Sequence, residues 1–279
     1  MKMIFLAFNA LNPDKGSSEF AFYLARLSRS KVYGIFLDGS QVDYNAMLEN
    51  KESEIGNPSR NYNQTLVHYS KQEQIKTNIN LFKESCISNE VCSDIYLDRA
   101  LKLNDLITSS AFADLIVVDA ALSLGSGSSG APSENVKEIL NRSACPVIIS
   151  PLSFERIDEL IFTYNGSESS LFAIKQFTYL FPEYFDKKLN VIQVNKSGVW
   201  PQKDLGKLRE WLNNHYLDVN FLALEGNTEH ELMSFLLRKK YVFIVMGAYS
   251  RNSISQFFNE STAEVLIKTV TQPIFIAHH

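Results

Sequence analysis

Three short runs of this sequence carry residue types that could hold a ligand. The first is Tyr164-Asn-Gly-Ser-Glu-Ser-Ser170. Asn165 can donate to or accept from a ribose hydroxyl or a base edge, Gly166 turns the chain, and Ser167 suits the cap of a following helix. The same residues also make an ordinary capped turn. The second run, Gly247-Ala-Tyr-Ser250 through Glu260-Ser-Thr262, offers backbone N–H groups at a glycine and hydroxyls ahead of a helix, the groups that cradle an anion. The third, Gly125-Ser-Gly127-Ser-Ser-Gly130, spells G-x-G-x-x-G. A dinucleotide fingerprint stands directly after a first strand and is followed about twenty residues later by an acid. Here the run trails a fourth strand and Ser150 stands at that distance, so it reads as a Gly/Ser loop.

No catalytic constellation accompanies these runs. His230 sits in Thr228-Glu-His-Glu231, which reads as a capping box with Thr228 as cap. His278 and His279 are adjacent and point opposite ways in a strand, so one metal would not take both. His68 and His215 lie in polar helical surroundings without a nucleophile. Cys86, Cys92 and Cys145 form neither a Cys-x-x-Cys pair nor a metal-ligand spacing with histidine. Cys145, between Ala144 and Pro146 ahead of an apolar run, reads as a small hydrophobe. The expectation is a protein that is not an enzyme and has no metal site.

The elements that must position these turns alternate between strands and helices, the pattern of a parallel sheet covered on both sides. Strands are expected at 4–8, 32–37, 93–97, 115–118 and 147–150, then again at 160–164, 189–194, 219–224, 242–246 and 274–277. Helices are expected at 17–29, 65–85, 103–110, 133–142, 167–181, 203–215, 229–238 and 261–269. The endings of the two halves align without a gap, residues 133–149 on 260–276, with Pro146 and Pro273 in the same place at a strand's start. This predicts two domains, 1–152 and 153–279, joined by a tight connector at 151–158. A polar stretch over 38–63 reads as a surface excursion.

Taken together, the Asn165 turn, the 247–262 loop and the helix-x-Pro-strand endings resemble the universal stress protein (UspA-like) family, here as a tandem two-domain member. The resemblance implies an α/β fold of two tandem Rossmann-like, adenine nucleotide alpha hydrolase-like domains, each a five-stranded parallel sheet flanked by helices. Nucleotide-binding members carry an Asp at the end of strand one and Gly-x2-Gly-x9-Gly-Ser/Thr after strand four. On that pattern Asn165 replaces the Asp, Gly247 matches the first glycine, Ser250 replaces the second, Glu260 replaces the third, and Ser261 matches the Ser/Thr.

These departures act against a triphosphate. Asn165 lacks the charge that strengthens hydrogen bonds to ribose, and Ser250 adds a Cβ where backbone should approach. Glu260 adds a like charge, which at about 4 Å costs on the order of 1 kcal/mol in water and about 4 kcal/mol at an effective dielectric of about 20. About 1.4 kcal/mol is tenfold in affinity. The first half departs further, with Asn9-Ala10-Leu11 in place of the turn, Asp119 at the first glycine and Ser133 at the last, and its site reads as vestigial. The resemblance therefore implies either no cofactor or ATP or AMP at low affinity, at Asn165, Gly166, Ser167, Gly247, Ser250, Ser261 and Thr262. It points to a non-catalytic binding or regulatory protein of the stress response. The alternative is an ATP-binding switch or nucleotide-dependent enzyme using residues 247–262.

Composition bounds the partners. The chain has 279 residues, 45% of them apolar, with 27 Lys+Arg against 31 Asp+Glu. That balance carries no basic footprint for nucleic acid or an acidic membrane surface. No apolar run approaches the roughly 20 residues of a membrane span, and a cytoplasmic location is expected. Each half ends in an apolar strand that would be an aggregation hazard if left bare. Pairing of 147–149 with 274–276 is therefore expected to make an intramolecular pseudo-dimer of the halves, with a homodimer and an unknown small molecule or protein as further partners.

Overall fold

The computed structural model describes residues 2–39, 58–124, 132–247 and 272–277, with the backbone alone for 58–68, 98, 203, 204 and 229. Residues 40–57 of the polar excursion, the Gly125–Gly130 run, the expected helix at 261–269 and His278–His279 lie outside the described residues.

The first half runs β1 (Met3–Asn9), α1 (Lys15–Ser28), β2 (Lys31–Leu37), α2 (Pro58–Ser88), β3 (Ser93–Ile95), α3 (Leu103–Ser109), β4 (Leu115–Asp119), α4 (Glu134–Arg142) and β5 (Val147–Ser150). The second runs β6 (Glu159–Thr163), α5 (Glu168–Leu180), β7 (Lys188–Asn195), α6 (Gln202–Asn213), β8 (Asp218–Glu225), α7 (Thr228–Leu236), β9 (Val242–Gly247) and β10 (Ile274–Ala277). These strands form one ten-stranded sheet in the order β3-β2-β1-β4-β5-β10-β9-β6-β7-β8. Every pairing is parallel except β5 with β10, where Ile149, Ile148 and Val147 face Ile274, Phe275 and Ile276 antiparallel.

Physical reasons for this join can be read from the two faces. Alternate residues of β1 go to opposite sides, Ile4, Leu6 and Phe8 to one and Phe5 and Ala7 to the other. The first face is covered by α1, α2, α5 and α6, through residues such as Phe20, Phe82, Phe177 and Leu212. The second is covered by α3, α4 and α7, through Leu106, Ile139 and Met233 among others. The first helix of each half thus lies on the same face. Two similar sheets joined edge to edge without exchanging faces are related by rotation about an axis normal to the sheet, and that rotation makes the touching strands antiparallel. The join also covers two edges that would otherwise template aggregation. The core is continuous across it: Phe20 of α1 meets Phe243 of β9 edge-on at 5.8 Å, and the Tyr184 hydroxyl donates to that of Tyr23 at 3.1 Å.

Pro146 and Pro273 behave alike. Each stands just before its strand and accepts through its carbonyl, from Ile116 N–H and Ile244 N–H, both at 3.0 Å. Three local expectations are corrected. The strand expected at 93–97 stops at Ile95, and a 3-10 turn with Leu97 at φ 60° follows. This edge strand pairs with β2 alone, and Tyr96 turns onto Phe5, ring centroids 4.9 Å apart. Helix α2 starts at Pro58, so 58–63 is helix rather than excursion. Helix α7 is capped by Asn227, whose side chain accepts from His230 N–H at 3.1 Å, and not by Thr228.

Candidate functional site

In an open parallel sheet, ligands sit beyond the carboxyl ends of the strands where the strand order reverses. Those places are the ends of β1 and β4 in the first half and of β6 and β9 in the second.

At the end of β6 the expected turn is present and its polar groups are engaged. Asn165 Oδ1 accepts from Ser167 N–H at 3.0 Å, an Asx turn. Gly166 lies at φ 82°, where a side chain would be strained. Ser167 caps α5 by accepting from Ser170 N–H at 3.2 Å. At the end of β9, a Cβ built on Gly247 would lie 2.6 Å from Ser169 C and O and from Ser170 N. The glycine therefore lets the first turn of α5 rest directly on the strand end. Asn165, Gly166, Ser167 and Gly247 thus meet around the start of α5. Ser250, Ser261 and Thr262 lie outside the described residues.

The corresponding place in the first half, expected to be vestigial, opens into a cavity of about 580 Å³ between the ends of β1 and β4 and the start of α1. Asn9 is among the residues that line it. Its Oδ1 accepts from Leu11 N–H at 2.9 Å and its Nδ2 donates to Ser123 O at 2.6 Å, tying the β1 loop to the β4 loop. Ser133 caps α4 and donates to Leu122 O, which pins the same β4 loop from behind. Two carboxylates line the cavity, Asp119 at the end of β4 and Asp14 at the cap of α1. Burial pushes the Asp119 carboxyl above the usual range; N–H groups of Ala121 and Ala120 oppose the shift and the Asp14 charge adds to it. Lys15 also lines the cavity.

Sequence reasoning missed Asp14. The signal was available, because Asp favours helix starts and Asp14 stands only three residues before Ser17. Placing the helix start at 17 hid it; the helix begins at Lys15, with Asp14 Oδ2 accepting from Ser17 N–H at 2.6 Å.

Other candidate groups have structural surroundings. The Cys145 thiol is pushed up to about 12, by burial first and then by the Asp114 charge, which leaves it protonated and unreactive. Cys86 is buried and Cys92 exposed, both free. His215 packs on Trp211 with tilted rings, centroids 4.4 Å apart, and His230 is exposed beside Glu231. Among the described residues no group of three His, Cys, Asp or Glu could hold a metal ion, and no helix is long and apolar enough to cross a membrane.

No family model matches the chain. A universal stress protein of Synechocystis sp. is 26% identical over 138 residues, 48% of this chain and 48% of that protein. The chain's match thus spans about half the length of that curated relative. A solved universal stress protein from Archaeoglobus fulgidus DSM 4304 superposes with a TM-score of 0.62 over 99% of this chain and 98% of its own, at 15% identity. A putative universal stress protein from Pseudomonas aeruginosa UCBPP-PA14 gives 0.56 over 100% and 93%, at 12% identity. The chain is similar to universal stress proteins, in sequence over about half its length and in fold over nearly all of it. At these identities the solved structures speak for the fold alone, a large central sheet with helices on both faces, at two-domain size.

Proposed function

We propose that this chain is a non-catalytic, universal-stress-type binding or regulatory protein of the stress response, cytoplasmic, with weak or absent ATP binding. The observation that carries the reading is the engagement of the second-half turn. The Asn165 acceptor is bonded to Ser167 N–H, and the space a Cβ would fill at Gly247 is occupied by the backbone of Ser169 and Ser170. The two groups that would approach ribose and phosphate are therefore used to seat α5. Ser250 and Glu260, in place of two glycines, act in the same direction. Family likeness supports the stress-response assignment.

The test is calorimetry with ATP and with AMP on the full chain and on a Ser250→Gly, Glu260→Gly variant, together with adenine absorbance in the supernatant of heat-denatured protein. No adenine release and no micromolar ATP binding by the native chain are expected, with a gain in the variant. Micromolar ATP binding by the native chain overturns the reading.

A further inference from the structure

We propose that the cavity at the ends of β1 and β4 is a binding site for a small organic ammonium ligand, held between the carboxylates of Asp14 and Asp119. The cavity, about 580 Å³, falls in the range of roughly 300–1,000 Å³ that small-molecule sites occupy. Its two acids come from different elements; Asp119 is met by the N–H groups of Ala121 and Ala120, and Asp14 is held by a chain of buried hydroxyls. Ser150 Oγ donates to Ser17 Oγ at 3.0 Å, and Ser17 Oγ donates to Asp14 Oδ2 at 2.7 Å. Ser150 is the register partner of Asp119 on the neighbouring strand, so the hydroxyls that hold Asp14 start beside Asp119 at the same end of the sheet. Both side-chain bonds of Asp14 end on Oδ2, which leaves Oδ1 with no donor among the described residues.

The charges then select the ligand. Among the described residues no Lys or Arg nitrogen lies within 4.0 Å of either carboxylate. Lys15, exposed at the rim, is the cation facing the cavity. Ionised Asp119 pays a desolvation penalty there, which a ligand cation would offset. An anion meets two like charges and is disfavoured. A metal ion is a poor match, because hard cations take six or more oxygen ligands and among the described residues no third acid joins the two carboxylates. Ala7, Phe8, Pro13 and Leu122 add an apolar lining beside the acids, which suits methylene groups attached to an ammonium.

The experiment is calorimetry on the full chain with spermidine as probe, beside magnesium chloride and ATP. One saturable spermidine site is expected, weakened by about tenfold or more in Asp119→Asn, the loss of one charge-assisted hydrogen bond. Asp14→Asn, which keeps a helix cap, should weaken it similarly. Lys15→Ala should strengthen it, and Asp218→Asn, on the far edge strand, should leave it unchanged. Affinity should fall as pH is lowered through the titration of Asp119, because the protonated acid loses its attraction. The thermal midpoint of each variant verifies folding, and either aspartate variant suffices. No saturable binding at millimolar spermidine, equal binding by both aspartate variants, an equal loss in Asp218→Asn, or magnesium competing as well as spermidine overturns the proposal. ATP binding elsewhere on the chain would instead sink the function proposed above and leave this site standing.

Discussion

A methyl group at Gly247 separates two roles for that residue. If the glycine exists to let a ligand approach, Gly247→Ala costs binding and leaves stability unchanged; if it seats α5, the substitution costs stability with no ligand present. The added Cβ would lie 2.6 Å from three backbone atoms of Ser169 and Ser170. Carbon contacts are comfortable at about 3.5–4.0 Å, so the helix start must retreat by about 1 Å. Overpacking of this kind costs about 1–3 kcal/mol, offset by about 0.4–1 kcal/mol from the restricted unfolded chain. The net is about 1–2 kcal/mol. With an unfolding entropy of about 2.1 cal/mol/K per residue, the chain should melt about 2–3 °C lower. Gly206 supplies the opposite sign: it is exposed inside α6, and a Cβ there meets nothing within 4 Å. Gly206→Ala should gain about 0.5–1 kcal/mol and melt about 1–2 °C higher. Thermal and urea unfolding followed by circular dichroism read both. A Gly247→Ala protein as stable as the native one would refute the seating argument.

Two further outcomes follow from the packing. Both tryptophans, Trp200 and Trp211, lie in the second half, so their fluorescence reports that half alone. Phe20→Ala in α1 removes a fully buried ring touching Phe243 and Phe154 and should cost about 3–5 kcal/mol; because the core is continuous, the tryptophan-reported urea midpoint should drop with it, and an unmoved midpoint would mean the halves unfold separately. At α7, Asn227→Ala should cost about 1 kcal/mol of stability through the lost cap, whereas Thr228→Ala should cost little; the reverse order in urea melts would restore Thr228 as the cap.

Much of the fold was legible because both faces of the sheet are buried. Strands covered on both sides appear as continuous apolar runs, and 147–150 and 274–277 were placed to the residue. Proline marked their starts by lacking a donor. Edges and helix starts were less legible. Strand β3 shortened because Tyr96 turns to pack on Phe5 across the sheet. The starts of α1 and α7 shifted because several polar residues stood close enough to cap and only geometry chose among them.

For the candidate site, residue types alone determined that Asn165, Gly166 and Ser167 make a turn into a helix, since an Asx oxygen, a residue free at positive φ and a hydroxyl cap act within a few neighbouring residues. What those groups do was decided by tertiary structure. Gly247 reads as a phosphate-approach glycine until α5 is seen resting on it. Asp14, Ser17, Asp119 and Ser150 are up to 136 residues apart in the chain, and no local pattern joins them. Parallel pairing of β1, β4 and β5 places them at one end of the sheet. Local chemistry is written in neighbouring residues; a cavity exists only where distant elements converge without filling the space between them.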